Sequence, residues 1–165
     1  LTAHYRAPLT WNADLLAKTR RSLDRIYGVL RRLGDVEAAD VDVPEAFLDA
    51  LLDDLNTPKA MSELFALAGE ANKAATPQEK AEAKGRLLAA GALMGLGQDD
   101  PDAWFGLTGM DPAERAEIDA LIEKRQAARA AKDWAVADEV RDELNARRIQ
   151  VDDGPEGSTW RKMAE

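Results

Sequence analysis

Trp134, Asp138, Arg141, Asn145 and Arg148 recur at a spacing that puts them on one side of a helix predicted over 134–147, at about 100° per residue. Val136, Ala137, Val140 and Leu144 form a separate apolar stripe on that helix, and Trp134 lies roughly 110° from its middle. An aromatic plane beside a carboxylate and guanidinium groups is suited to stacking an unpaired nucleobase and reading its edge by hydrogen bonds. A structural role competes with this one, because a tryptophan at a helix start can fold back over the preceding helix as core. Asp152 and Asp153 stand before Gly154-Pro155, where aspartates commonly satisfy backbone N–H groups of a turn. Arg129 extends the row Ile118, Ile122, Arg125 into the last turn of the preceding helix, where a cation suits the helix dipole. Trp160, on the returning strand, reads as core.

The elements that must position these residues follow from periodicity and capping. Apolar residues at Leu15, Leu16, Leu23, Ile26, Tyr27, Leu30 and Leu33 predict a helix over 12–33, stopped at Gly34. Pro44 opens a second helix over 44–54, with Phe47, Leu48, Leu51, Leu52 and Leu55 expected on one side. Thr57 and Pro58 start a third, over 58–75, with Thr57 as its cap. Thr76, Pro77 and Glu79 spell a capping box for a fourth, over 77–95. Residues 97–110, rich in Gly, Asp and Pro, read as a linker, with Trp104 and Phe105 expected to tuck against the bundle. Helices over 112–131 and 134–147 follow, the second capped by Asp133. The pattern then changes period, and 149–152 is expected to pair with 158–161 as a β-hairpin. The fold class is therefore mainly α: an up-and-down helical bundle (1–96), the linker, and a small α+β subdomain (111–165) of two helices and a short β-hairpin.

Composition narrows the chemistry. The 165 residues contain no cysteine and a single histidine, His4, which excludes a thiol nucleophile, a disulfide framework and a Cys/His zinc site within this chain. No metal site and no catalytic residues are expected, and no Gly-rich phosphate loop or nucleophile elbow appears. Asp53 and Asp54 are neighbours on a helix, pointing about 100° apart, and read as a solvated face. The net charge of −9 argues against broad binding to polyanions, but it is unevenly spread: +5 over 1–34, −11 over 35–111 and −3 over 112–165. Phosphate contacts would have to be local. No apolar run is long enough to span a membrane, and a soluble cytoplasmic protein is expected. The chain opens without Met on a sequence that looks mid-domain, so a piece of a longer polypeptide is expected.

Three segments carry a resemblance: HYRAPLTW (4–11), ALLDDLNTPKA (50–60) and QAARAAKDWAVADEVRDELNARRIQVDDGPEGSTWRK (126–162). Together they resemble the C-terminal part of bacterial cysteinyl-tRNA synthetases, class I enzymes, over essentially the whole chain. Ser158 stands where the family more usually has Thr. The resemblance implies a DALR-type helical domain followed by an anticodon-binding domain, with the catalytic domain absent from this chain. It implies no cofactor in this fragment, and ATP and zinc in the missing catalytic domain. The implied partners are cysteine tRNA, through its anticodon stem-loop, and the catalytic domain of the same polypeptide. By the resemblance, Trp134 would stack on the first base of the GCA anticodon and Asp138 would accept from its guanine edge. Arg129 and Asp153 would reach the other two bases. Two other readings stand beside this one. A free-standing acidic helical module could use 35–111 to bind a basic protein. A ligase acting on an amino sugar would not be expected to keep the DGPxGTxW-like tail.

Overall fold

The computed structural model describes residues 1–154 and 157–163, and these divide into two compact units, 1–101 and 102–165. The first unit is helical: α1 (Ala13–Arg32), α2 (Glu45–Leu52), α3 (Thr57–Lys73) and α4 (Pro77–Leu93). The second contains α5 (Pro101–Trp104, which begins at the boundary), α6 (Pro112–Ala130), α7 (Trp134–Ala146) and an antiparallel hairpin, β1 (Ile149–Gly154) with β2 (Gly157–Lys162). The fold is mainly α with one small hairpin, as the periodicity predicts.

In the first unit α3 is the central helix and packs against α1, α2 and α4. Its inward positions are Ala60, Leu64, Leu67, Ala68 and Ala71, and small side chains there let neighbouring helices approach closely. Ile26, Val29 and Leu30 of α1, Phe47 of α2 and Leu87 of α4 complete the core. Lys84 of α4 donates to the carbonyls of Leu33 (2.8 Å), Gly34 (3.2 Å) and Val36 (2.6 Å), placing a cation on the open C-terminal end of α1. One turn away, the backbone of residue 39 crosses α4 so closely that its N–H donates to the Ala81 carbonyl at 3.0 Å. Gly85 permits the crossing, since a Cβ there would lie 2.2 Å from the Ala39 carbonyl oxygen.

Several details depart from the sequence reading. The cap of α3 is Asn56, whose side chain accepts from the Lys59 N–H at 3.2 Å; the Thr57 hydroxyl instead donates to the Ala3 carbonyl. On α2 only Phe47 and Ala50 are buried, while Leu48, Leu52 and Leu55 are exposed. The helix ends at Leu52, and Asp54 and Leu55 take left-handed backbone conformations (φ 51° and 52°), so helical spacing does not carry Leu55 onto the buried side. Asp54 is more than a solvated carboxylate. It accepts from the Tyr5 hydroxyl at 2.7 Å and from Arg6 at 3.3 Å, which fastens the HYR segment to the α2–α3 turn.

In the second unit, the stretch read as a linker contains the helical turn α5 and two buried side chains, Phe105 and Leu107. The Phe105 carbonyl accepts from the Lys162 N–H of β2, which ties this segment to the second unit. The hairpin pairs Ile149 with Lys162, Val151 with Trp160 and Asp153 with Ser158, one residue along from the pairing of 149–152 with 158–161 that the sequence suggests; Pro155 and Glu156, assigned to its turn, lie outside the described residues.

Gly85→Ala tests the crossing of α4. Backbone cannot swing aside as a side-chain tip can, so the added methyl should cost about 1–3 kcal/mol, the range for overpacking a core. Thermal denaturation should show the loss as a lowered Tm; an unchanged Tm would mean that residue 39 does not lie against α4.

Candidate nucleic-acid interface

The second unit is built on α6. Asp111 caps it, accepting from the Ala113 N–H at 2.7 Å, and Ile118, Ile122 and Ala128 are its buried positions. The hairpin crosses the helix through three polar rungs. Lys162 pairs with Glu114 at 3.1 Å, the Trp160 indole N–H donates to Asp119 at 2.6 Å, and Asp153 meets Arg125 and Arg129. Strand alternation explains this, since Asp153, Ser158, Trp160 and Lys162 share one face of the hairpin in its register. Trp160 is core, as its sequence context suggests, with its one polar atom satisfied.

Between α6 and α7 the chain reverses in a tight turn. Asp133 N–H donates to the Ala128 carbonyl and Lys132 N–H to the Arg129 carbonyl, with Lys132 left-handed at φ 59°. This is the Schellman arrangement with lysine where glycine usually stands. Asp133 then caps α7 by accepting from the Val136 N–H at 3.2 Å. Two successive constraints therefore set the angle at which Trp134 leaves α6.

On α7, Ala137, Val140 and Leu144 are buried, while Trp134 is 60% exposed. Its ring does not fold into the core. Asp138, one turn further on, is exposed and paired with Arg141 at 2.9 Å. Asn145 is exposed too, but Arg148 leaves the pattern: α7 ends at Ala146, and Arg148 has φ 59°. The helical projection that grouped Arg148 with Trp134 therefore stops short of it.

Arg129 and Asp153 come together directly, and a third residue joins them. Arg125 donates from both guanidinium N–H₂ groups to Asp153, at 2.9 Å to each oxygen. The Ser158 hydroxyl donates to Oδ1 at 2.6 Å and Arg129 donates to Oδ2. Arg125 beside it holds the Asp153 carboxyl well below the usual carboxylate range, and burial opposes this only in part. The same pairing raises Arg125, which also feels the charge of Asp138 across the gap between the two helices. A recess of about 190 Å³ adjoins this cluster, lined by Arg125, Arg141, Asn145, Gln150 and apolar residues of α7 and β1. Sequence reasoning missed Arg125 as a site residue. Its signal was available, because an arginine continuing an apolar row must find a counter-ion. Among the described residues, no group of three or more His, Asp or Glu side chains is arranged to hold a metal ion.

Comparison with known proteins identifies both units. Residues 111–161 match the model of the cysteinyl-tRNA ligase anticodon binding domain, and residues 46–98 match that of the DALR domain. These define a class: the anticodon-binding portion of an aminoacyl-tRNA ligase. The chain belongs to the cysteinyl-tRNA ligase family through these two domains. It is 77% identical over 163 residues to the cysteine–tRNA ligase of Maricaulis maris, a match covering 99% of this chain and 35% of that protein. It is 50% identical to the cysteine–tRNA ligase of Rhodospirillum rubrum, covering 98% of this chain and 36% of the relative. That of Caulobacter vibrioides is 48% identical, with 98% and 35% covered. The chain thus spans little more than a third of the length of these relatives. No helix among the described residues is long and apolar enough to cross a membrane.

Because the folded-state pKa of Asp153 lies below its unfolded value, its stabilising effect is present above the ordinary carboxylate range, near pH 4, and is lost as the pH falls below it. The Tm difference between wild type and Asp153→Asn should accordingly be steady from pH 7 to about 5 and narrow below about 4. A difference that persists undiminished at about pH 3 would show that the ionised carboxylate is not what stabilises the unit.

Proposed function

We propose that this chain reads the anticodon of cysteine tRNA, GCA, within a cytoplasmic cysteine–tRNA ligase that joins cysteine to its tRNA at the expense of ATP. The observation that carries the reading is the exposed Trp134, set at the capped start of α7 with Asp138 one turn beyond it. A ring carried on backbone that two helix ends constrain, and left open to solvent, is a platform for a base. Asp138 accepts from the N–H groups of a guanine edge, keeping one oxygen beyond its contact with Arg141. Arg129 and Asp153 serve the two remaining bases, one as donor and one as acceptor. The match of 111–161 to an anticodon-binding domain supports the assignment.

The rest of the reaction belongs to residues outside this chain. With no cysteine and one histidine, the chain cannot supply a Cys/His set of the kind that holds zinc. ATP and zinc are assigned to the catalytic domain of the same polypeptide, and that domain is the chain's second partner.

In the full-length polypeptide, Trp134→Ala should remove a stacking contribution of about 1–3 kcal/mol from tRNA binding. Asp138→Ala should cost about as much through lost base-edge contacts. Aminoacylation efficiency should fall in both, while ATP–pyrophosphate exchange with cysteine and no tRNA should be nearly unchanged. The two variants should differ in one respect: Trp134→Ala weakens binding whichever base is stacked, whereas Asp138→Ala narrows the preference for guanine over adenine at the first position. If both variants charge tRNA normally while folded, the anticodon is read elsewhere.

A further inference from the structure

Arg125 has no part in the reading above, yet the cluster is built around it. Its side chain is 13% exposed, one turn beyond the buried Ile122, and its fork meets both oxygens of Asp153 in parallel. A carboxylate has roughly four acceptor positions, and all are in use: two by Arg125, one by Ser158 and one by Arg129. The four donors are not equivalent. The bidentate bonds from a mostly buried guanidinium are strong and directional, whereas the single bond from Arg129, which is 43% exposed, comes from a long solvated side chain that other partners can take over.

We propose that Arg125 is the positioning residue of this interface: with Ser158 it holds the Asp153 carboxylate still, while the position covered by Arg129 is exchanged for the exocyclic amino group of a docked base. This rests on the anticodon reading and adds a residue that acts without touching RNA. The exchange balances hydrogen bonds and transfers no proton. Asp153 trades an arginine N–H for a base N–H, and Arg129 turns its freed N–H to an acceptor on a neighbouring base. Adenine, cytosine and guanine offer an amino group, but uracil does not, so the fixed carboxylate discriminates against uracil. Without Arg125 the carboxylate would be free to turn and solvate, and the discrimination would fall.

The test uses the full-length polypeptide and 17-nucleotide anticodon stem-loops carrying GCA, or uracil at the second or third position, with Kd measured by fluorescence anisotropy. Arg125→Gln should narrow the preference over uracil by about tenfold at one of these positions, within the range that a well-placed base-edge contact contributes to discrimination. Arg125→Lys, which keeps the charge and loses the fork, should recover part of it. Ser158→Ala, a change at the exposed end of the cluster, should give a smaller loss at the same position and guards against a folding defect in Arg125→Gln. The double variant Arg125→Gln, Asp153→Asn should lose no more preference than Asp153→Asn alone. Equal weakening of all the stem-loops by Arg125→Gln, with the preference over uracil intact, would overturn the proposal while leaving the anticodon reading in place, provided Trp134→Ala still weakens binding. If Trp134→Ala has no effect on any stem-loop, the anticodon reading falls and the proposal with it.

Discussion

The ion pair between Arg125 and Asp153 couples the second unit's fold to its candidate surface. A hairpin of two strands is marginal by itself and has to borrow stability from what it packs on. Here the lender is α6, through rungs at Glu114, Asp119 and Arg125. The last rung lies nearest the hairpin's turn, and it works in both directions. An arginine on the row of Ile118 and Ile122 would be costly without a counter-ion, and a carboxylate near a hairpin tip would be solvated without an arginine to hold it. Each makes the other's position tenable, and Arg129 is drawn in as a consequence.

The second constraint is the turn between α6 and α7. Lys132 occupies a backbone region that disfavours side chains, and the turn persists because carbonyls of α6 and the cap of α7 are satisfied through it. The result is an exposed aromatic ring at the start of one helix and a charge cluster reaching from the other, with Asp138 felt by Arg125 between them. On the proposed reading, an acidic protein has to meet a polyanion. The chain as a whole carries −9, so attraction over long distances is not available to it. What it presents instead is an open ring together with donors and acceptors in short range of one another.

The helices were legible in the sequence because their causes are local. Thr76 with Glu79, Asp133 before α7 and the apolar spacing in α1 each act within a few residues, and the structure reproduces them nearly to the residue. The exposure of Trp134 was legible for the same reason, since a helical projection separates it from Val140 and Leu144. Where the chain left the helix the projection failed, as at Leu55 and Arg148, both with positive φ.

Tertiary structure alone decided the partners of Asp153. Arg125 lies 28 residues before it and Arg129 lies 24 before it, and neither spacing has a period that a sequence can announce. Their meeting depends on which face of the hairpin Asp153 occupies and on how far along α6 the hairpin is laid. The bond from Lys162 to the Phe105 carbonyl and the closeness of residue 39 to Gly85 have the same origin. Capping and periodicity are settled by neighbours along the chain. Pairings between elements are settled only when buried charge and buried surface, summed over the whole unit, select one packing.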